Sequence, residues 1–305
     1  LNAAGGKLQE IGKESEEQLS WVWSIDLRQR SWEKVRKLSI MFIARDNSST
    51  KRSPLLVAGL ALFAFTCGNS SSAQAANPKN PSELDRFILD GMKEAKVPGL
   101  AAAVVKNGKV AWTGLYGWAN LEQRIPVTEN TLFQVASVSK PVTACVVMQL
   151  VEQGKLSLDT DVNEVLPFPV RNPKHPKTPI TLKHLLTHTS GIRDNWNLLE
   201  DTWVKNGDFP KPLGESLAAY LQPKGEYYSA KKSYYSWAPG GRSQYSNVGV
   251  ALAAYLAEAK AKLPFETLCQ KGIFEPLAMQ GSSFRLKGMD QTKIAMPYGF
   301  RKKTG

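Results

Sequence analysis

The sequence predicts an α+β fold: an antiparallel sheet flanked by helices and joined to an all-helical lobe. Three observations point there. An amphipathic helix pattern over residues 82–95 leads into two apolar runs separated by Asn107-Gly108. Asn-Gly between apolar runs is the preferred signal of a type I′ hairpin turn. After residue 138 the pattern becomes helices alternating with Pro-rich and polar loops, and the strands expected after that block do not follow. A lone hairpin is marginal in water and needs further strands or a covering helix. The sheet is therefore expected to be incomplete at the C-terminus of this sequence.

The 305 residues suffice for one large or two medium domains with a substantial core. Residues 1–40 are charged and tryptophan-bearing with no partner pattern, and are expected to be an upstream leader outside the fold. Met41 opens a different composition. Arg45, Lys51 and Arg52 form a basic region, Leu55 to Phe65 an apolar run too short to span a membrane, and Ala73-Gln74-Ala75 a small-residue cleavage signal. Residues 41–76 thus resemble a secretory signal peptide, and residues 77–305 the folded domain. The expected location is periplasmic or secreted. Two alternatives stay open: an N-terminal domain with an internal apolar helix, and a lipoprotein anchored to the membrane through Cys67.

Within residues 77–305, Leu84, Phe87, Ile88 and Met92 share one face of the first helix, and Pro98-Gly99 ends it. Strands are expected at Leu100–Val105 and Val110–Leu115. A helix follows residue 137, with Gly154 closing it. Thr181 caps a short helix over Leu182–Leu186, and Val248–Ala259 is alanine-rich and helical. Phe265–Leu268 and Ile273–Met279 read as further short helices. Residues 195–235 are polar and aromatic with weak periodicity.

Composition excludes several functions. The net charge of +12 is dispersed, with no basic stripe and no nucleic-acid motif, so no nucleic-acid partner is expected. Cys67, Cys145 and Cys269 show no Cys-x-x-Cys spacing and do not cluster with the three histidines. No metal, cofactor or essential disulfide is expected.

Two motifs carry chemistry. Ser137-x-x-Lys140 stands at a helix start, where residues three apart share a face. A serine hydroxyl is a weak nucleophile until a base takes its proton, and a neutral lysine is such a base. The helix start also offers free backbone N–H groups to an oxyanion. Alone the pattern is weak. Ser31/Lys34, Ser48/Lys51 and Ser229/Lys232 share it, and Ser137 alone also fits a serine at a helix start with a surface lysine behind it. The second motif, Tyr245-x-Asn247, precedes another helix. A phenol serves as a general acid or base beside a cation such as Lys140, and Asn247 can hold a lysine amine or a substrate amide. The plainer alternative is a buried tyrosine and a helix-capping asparagine.

Together, Ser137-Val138-Ser139-Lys140, Leu185-Leu186-Thr187-His188-Thr189-Ser190-Gly191 and Tyr245-Ser246-Asn247 resemble the serine β-lactamase and penicillin-binding-protein superfamily. The Tyr-Ser-Asn form points to the class C β-lactamase group, with its related D-alanyl-D-alanine carboxypeptidases and family VIII esterases. The resemblance implies a β-lactamase/transpeptidase-like fold and hydrolysis through an acyl-serine. The implied substrate is a β-lactam, a D-amino-acid peptide such as a peptidoglycan peptide, or a small carboxylic ester. It makes Ser137 the nucleophile, Lys140 its base partner, Tyr245 the proton shuttle and Asn247 the orienting amide, with His188 and Gly191 structural. A non-hydrolytic penicillin- or peptidoglycan-binding module is the alternative. The family's third motif is matched in letters by Lys303-Thr304-Gly305, which follows Tyr245 far sooner than the family places it. The expectation is a C-terminally truncated chain that is itself inactive.

Overall fold

The computed structural model describes residues 81–299, apart from 203, 205 and 206. The proposed leader, signal peptide and Cys67 lie outside the described residues, as do Lys303-Thr304-Gly305 and the Ser31 and Ser48 pairs.

Helix α1, Glu83–Ala95, opens with a capping box: Ser82 accepts from the Asp85 N–H while Asp85 accepts from the Ser82 N–H. Strands β1, Gly99–Lys106, and β2, Lys109–Asn120, follow as an antiparallel pair, with Val105 opposite Val110 and Lys106 opposite Lys109. Asn107 and Gly108 both take positive φ, 51° and 72°, as a type I′ turn requires. Strand β3, Ile125–Pro126, adds to the far side of β2. At the base of the hairpin Gly117 has φ 67°, and a Cβ there would lie 2.1 Å from the Pro98 carbonyl oxygen. Only glycine fits this position in β2. Tyr116 donates a 2.5 Å hydrogen bond to Asp85 and so ties β2 to α1.

The helical lobe holds the main core. A 3-10 turn, Ala136–Val138, leads into α2, Ser139–Glu152. The lobe continues with α3, Leu182–Leu186, α4, Trp196–Asp201, and α5, Leu213–Leu221. It closes with α6, Asn247–Ala261, and α7, Phe265–Cys269. Helix α6 is central: it packs on α2, α3, α5 and α7. Its small residues let neighbours approach closely, and Leu252, Ala253, Leu256 and Ala257 are fully buried. They meet Val146 and Val147 of α2 and Leu182 and Leu185 of α3 in one apolar cluster. No described helix is long and apolar enough to cross a membrane.

The helix expected at Ile273–Met279 does not form. The chain leaves α7 through a π-helical turn, Gln270–Phe274, whose Gly272 carbonyl accepts from Gln149 of α2. Pro276 then has no N–H to extend a helix, and Ala278 turns the chain at φ 51°.

Burial grades the cost of substitution. Leu252→Ala should lower unfolding stability by about 2–5 kcal/mol, the usual range for emptying a core leucine site. Val104→Ala, on a strand residue 46% exposed, should change it by under about 0.5 kcal/mol. Urea unfolding of the two variants checks the contrast.

Candidate active site

The site forms where two helix starts meet. Ser137 lies in the 3-10 turn and Lys140 in the first turn of α2, and both are half-buried. Lys140 Nζ is 3.1 Å from Ser137 Oγ. The preceding residue, Ala136, has φ 43°, a left-handed conformation that costs a non-glycine residue energy. Ser139 Oγ donates to the Ala136 carbonyl at 2.6 Å and fastens this bend. Strain of this kind is sustained only where surrounding contacts enforce it.

The second helix start supplies the other half. Ser246 caps α6: its Oγ accepts from the Gly249 N–H at 2.9 Å. The cap is Ser246 and not Asn247, which leaves the Asn247 side chain free for other work. Asn247 Oδ1 accepts from Lys140 Nζ at 2.7 Å. Tyr245, just before the cap, donates from its hydroxyl to Ser137 Oγ at 2.7 Å. Its ring lies 4.8 Å from Lys140 Nζ, a cation–π distance. All four residues proposed from the sequence therefore meet in one cluster, although 108 positions separate Ser137 from Tyr245. The Ser229/Lys232 match does not join it. Ser229 sits in a turn where its Oγ accepts from the Lys232 N–H at 3.3 Å.

His188 has a closer part than the sequence suggested. It follows α3 with φ 57°, and its ring packs against Tyr245 with centroids 4.6 Å apart. Its Nδ1 accepts from the Ser246 N–H at 3.2 Å, which places the ring proton on Nε2. Burial, and then the charge of Lys140, lower the His188 pKa from its ordinary 6.5, while Asp194 opposes the shift. Sequence reasoning missed Asp194 altogether. Its carboxylate accepts from the backbone and side-chain N–H groups of Asn247, each at 2.8 Å. Its position three residues after Gly191 gives no local signal.

An apolar cavity of about 230 Å³ adjoins Asn247 and Val248. Leu198 and Leu199 of α4, Leu213 and Leu217 of α5, and Phe209 line it.

A family model described as Beta-lactamase matches residues 84–302. The chain belongs to the beta-lactamase family. Among curated proteins of this family, esterase EstB of Burkholderia gladioli is 31% identical over 71% of the chain and 54% of its own length. A beta-lactamase of Pseudomonas fluorescens is 29% identical over 70% and 54%. Among solved structures, the octameric penicillin-binding protein homologue from Pyrococcus abyssi aligns with a TM-score of 0.60 at 31% identity, covering 72% of this chain and 48% of that one. The fold is thus the β-lactamase/transpeptidase-like α+β fold, in the serine β-lactamase and penicillin-binding-protein superfamily. The chain spans about half the length of these curated relatives.

The lowered His188 pKa has a consequence for stability with a definite sign. A histidine that binds protons less readily when folded than when unfolded destabilises the fold as pH falls below its unfolded value, near 6.5. His184, lowered by burial and by Lys183, acts in the same direction. The melting temperature should therefore fall between pH 7.5 and pH 5.5. His188→Asn, chosen because asparagine tolerates the left-handed backbone, should reduce that fall without removing the share from His184. Calorimetric scans across the pH range check both statements.

Proposed function

We propose that this region is the acylation centre of a serine hydrolase with Ser137 as its nucleophile. The observation that carries the reading is the double contact on Ser137 Oγ: Lys140 Nζ at 3.1 Å and the Tyr245 hydroxyl at 2.7 Å. Ser137 Oγ attacks the substrate carbonyl carbon while Lys140 acts as the base that takes the hydroxyl proton. The tetrahedral intermediate collapses by breaking the bond to the leaving group, and Tyr245 delivers a proton to the departing atom. In the second half Tyr245 takes a proton from water, whose oxygen attacks the acyl carbon; the bond to Ser137 Oγ breaks, and Lys140 returns its proton to that oxygen. Asn247 holds Lys140 in register.

A small carboxylic ester is the leading substrate class. The similarity to esterase EstB supports it, and so does the apolar cavity beside Asn247, whose leucines suit a hydrocarbon acyl or alcohol group. A β-lactam or a D-amino-acid peptide engages the same three groups, and class C-like specificity is the refinement to test with a cephalosporin. The leader composition of residues 41–76 supports export, with the folded domain beginning near Asn77. N-terminal sequencing of the secreted protein tests this, and retention of residues 1–40 would contradict it.

Ser137→Ala in the natural full-length protein should abolish turnover of p-nitrophenyl esters. Tyr245→Phe removes only a hydroxyl. It should cost about 10²–10³-fold in kcat, within the range for positioned proton transfer, with little change in melting temperature. Steady-state kinetics and thermal scans on both variants check this. Near-parental turnover in Ser137→Ala would overturn the assignment.

A further inference from the structure

The Asp194 carboxylate faces four donors at the start of α6. Oδ2 accepts from the Asn247 backbone N–H and from Asn247 Nδ2, both at 2.8 Å. Oδ1 accepts from the Val248 N–H and from the Ser246 hydroxyl, both at 3.1 Å. We propose that Asp194 is a positioning residue that fixes which end of the Asn247 side-chain amide faces Lys140. This rests on the reading of Ser137 as the acylated nucleophile.

The two ends of a carboxamide are nearly equal in shape and opposite in hydrogen bonding. A flip would cost little in packing, yet it would point an N–H at Lys140 where Oδ1 now accepts its 2.7 Å bond. Lys140 would then lose the contact that holds it from the α6 side. An ionised carboxylate only accepts, so Asp194 admits the NH₂ end and excludes the carbonyl end. The amide is locked with Oδ1 toward Lys140. Hydrogen bonds with an ionised partner are the stronger kind, and the half-buried site weakens screening by water. Asp194 thus acts on Ser137 through two intermediaries, Asn247 and Lys140, and touches neither the nucleophile nor its base.

A helix-capping role alone would look similar in one respect. The carboxylate takes the first two backbone N–H groups of α6, where the helix dipole favours negative charge. The two roles separate in a double-mutant cycle, because capping does not need the Asn247 amide and amide orientation does. The experiment measures pre-steady-state acylation by a p-nitrophenyl ester for the full-length parent, Asp194→Asn, Asn247→Ala and the double variant. Asp194→Asn should slow acylation about 10–100-fold, the range of a lost hydrogen bond to a charged group, with KM within about threefold of the parent. In the Asn247→Ala background the same change should cost under about threefold. Equal losses in both backgrounds, or no loss in the parent, would overturn the proposal. A second measurement needs neither a folded Asp194 variant nor activity. In the parent, the Asn247 side-chain NH₂, assigned by its disappearance in Asn247→Ala, should exchange with solvent at least about tenfold more slowly than exposed amides. Exchange at the surface rate would also overturn the proposal. A parent that fails to acylate at all would contradict the Ser137 reading, while the exchange result would still decide the state of the amide.

Discussion

The hydrogen bond from Lys140 to Asn247, 2.7 Å long, joins the starts of α2 and α6. Each helix start carries half of the proposed chemistry. Ser137 and Lys140 belong to one, Tyr245 and Asn247 to the other, and neither half is a site alone. What brings them together is the packing of α2 on α6, with Val146 and Val147 of one and Leu252 and Ala253 of the other buried in one apolar cluster. Helix propensity could not hold this geometry, since short helices in water are marginal and draw most of their stability from tertiary contact. The apolar cluster of the lobe therefore holds the geometry of the site as well as the fold.

Around that bond the backbone is held away from its preferred conformations at two places. Ala136 and His188 both take positive φ, next to Ser137 and against Tyr245 respectively. Each is fastened by a specific contact: Ser139 Oγ to the Ala136 carbonyl, and the Ser246 N–H to His188 Nδ1. The second contact requires a neutral imidazole. The low polarity that favours this state also keeps a second cation away from Lys140. The Asp194 carboxylate is directed at the start of α6 and at the Asn247 side chain. The cluster thus has a lysine, a phenol and an amide in fixed relation, with a neutral ring behind the phenol.

Much of this was legible in the sequence, and the reasons are local. The hairpin is encoded by two adjacent residues, Asn107 and Gly108, which accept the positive φ values that the turn needs. Helices α1, α2, α3 and α6 follow from apolar spacing, and Thr181 is legible as the cap of α3, whereas at α6 Ser246 takes the capping role that the sequence offered to Asn247. The four site residues were visible as short-range patterns, and the superfamily resemblance joined the two patterns across the intervening chain. What escaped depends on contacts between distant segments. Asp194 is one acid in a polar loop until α6 arrives 53 residues later to present its N–H groups. His188 stood inside a recognisable motif, yet its stacking on Tyr245 is set by how α3 meets α6. The π-helical turn at Gln270–Phe274 was missed because its apolar residues keep a helical spacing, while Pro276 and the bond from Gln149 to Gly272 redirect the backbone.

A covalent bond between Ser137 Oγ and the acyl group of the substrate is the central event of the proposed reaction. Intact-protein mass spectrometry of the full-length protein, quenched within the first turnover of a p-nitrophenyl ester, tests this most directly. The predicted result is one acyl group per chain, located by peptide mapping on the peptide that contains Ser137, and absent from Ser137→Ala. Turnover without any acyl adduct, or an adduct that persists on another residue in Ser137→Ala, would contradict it.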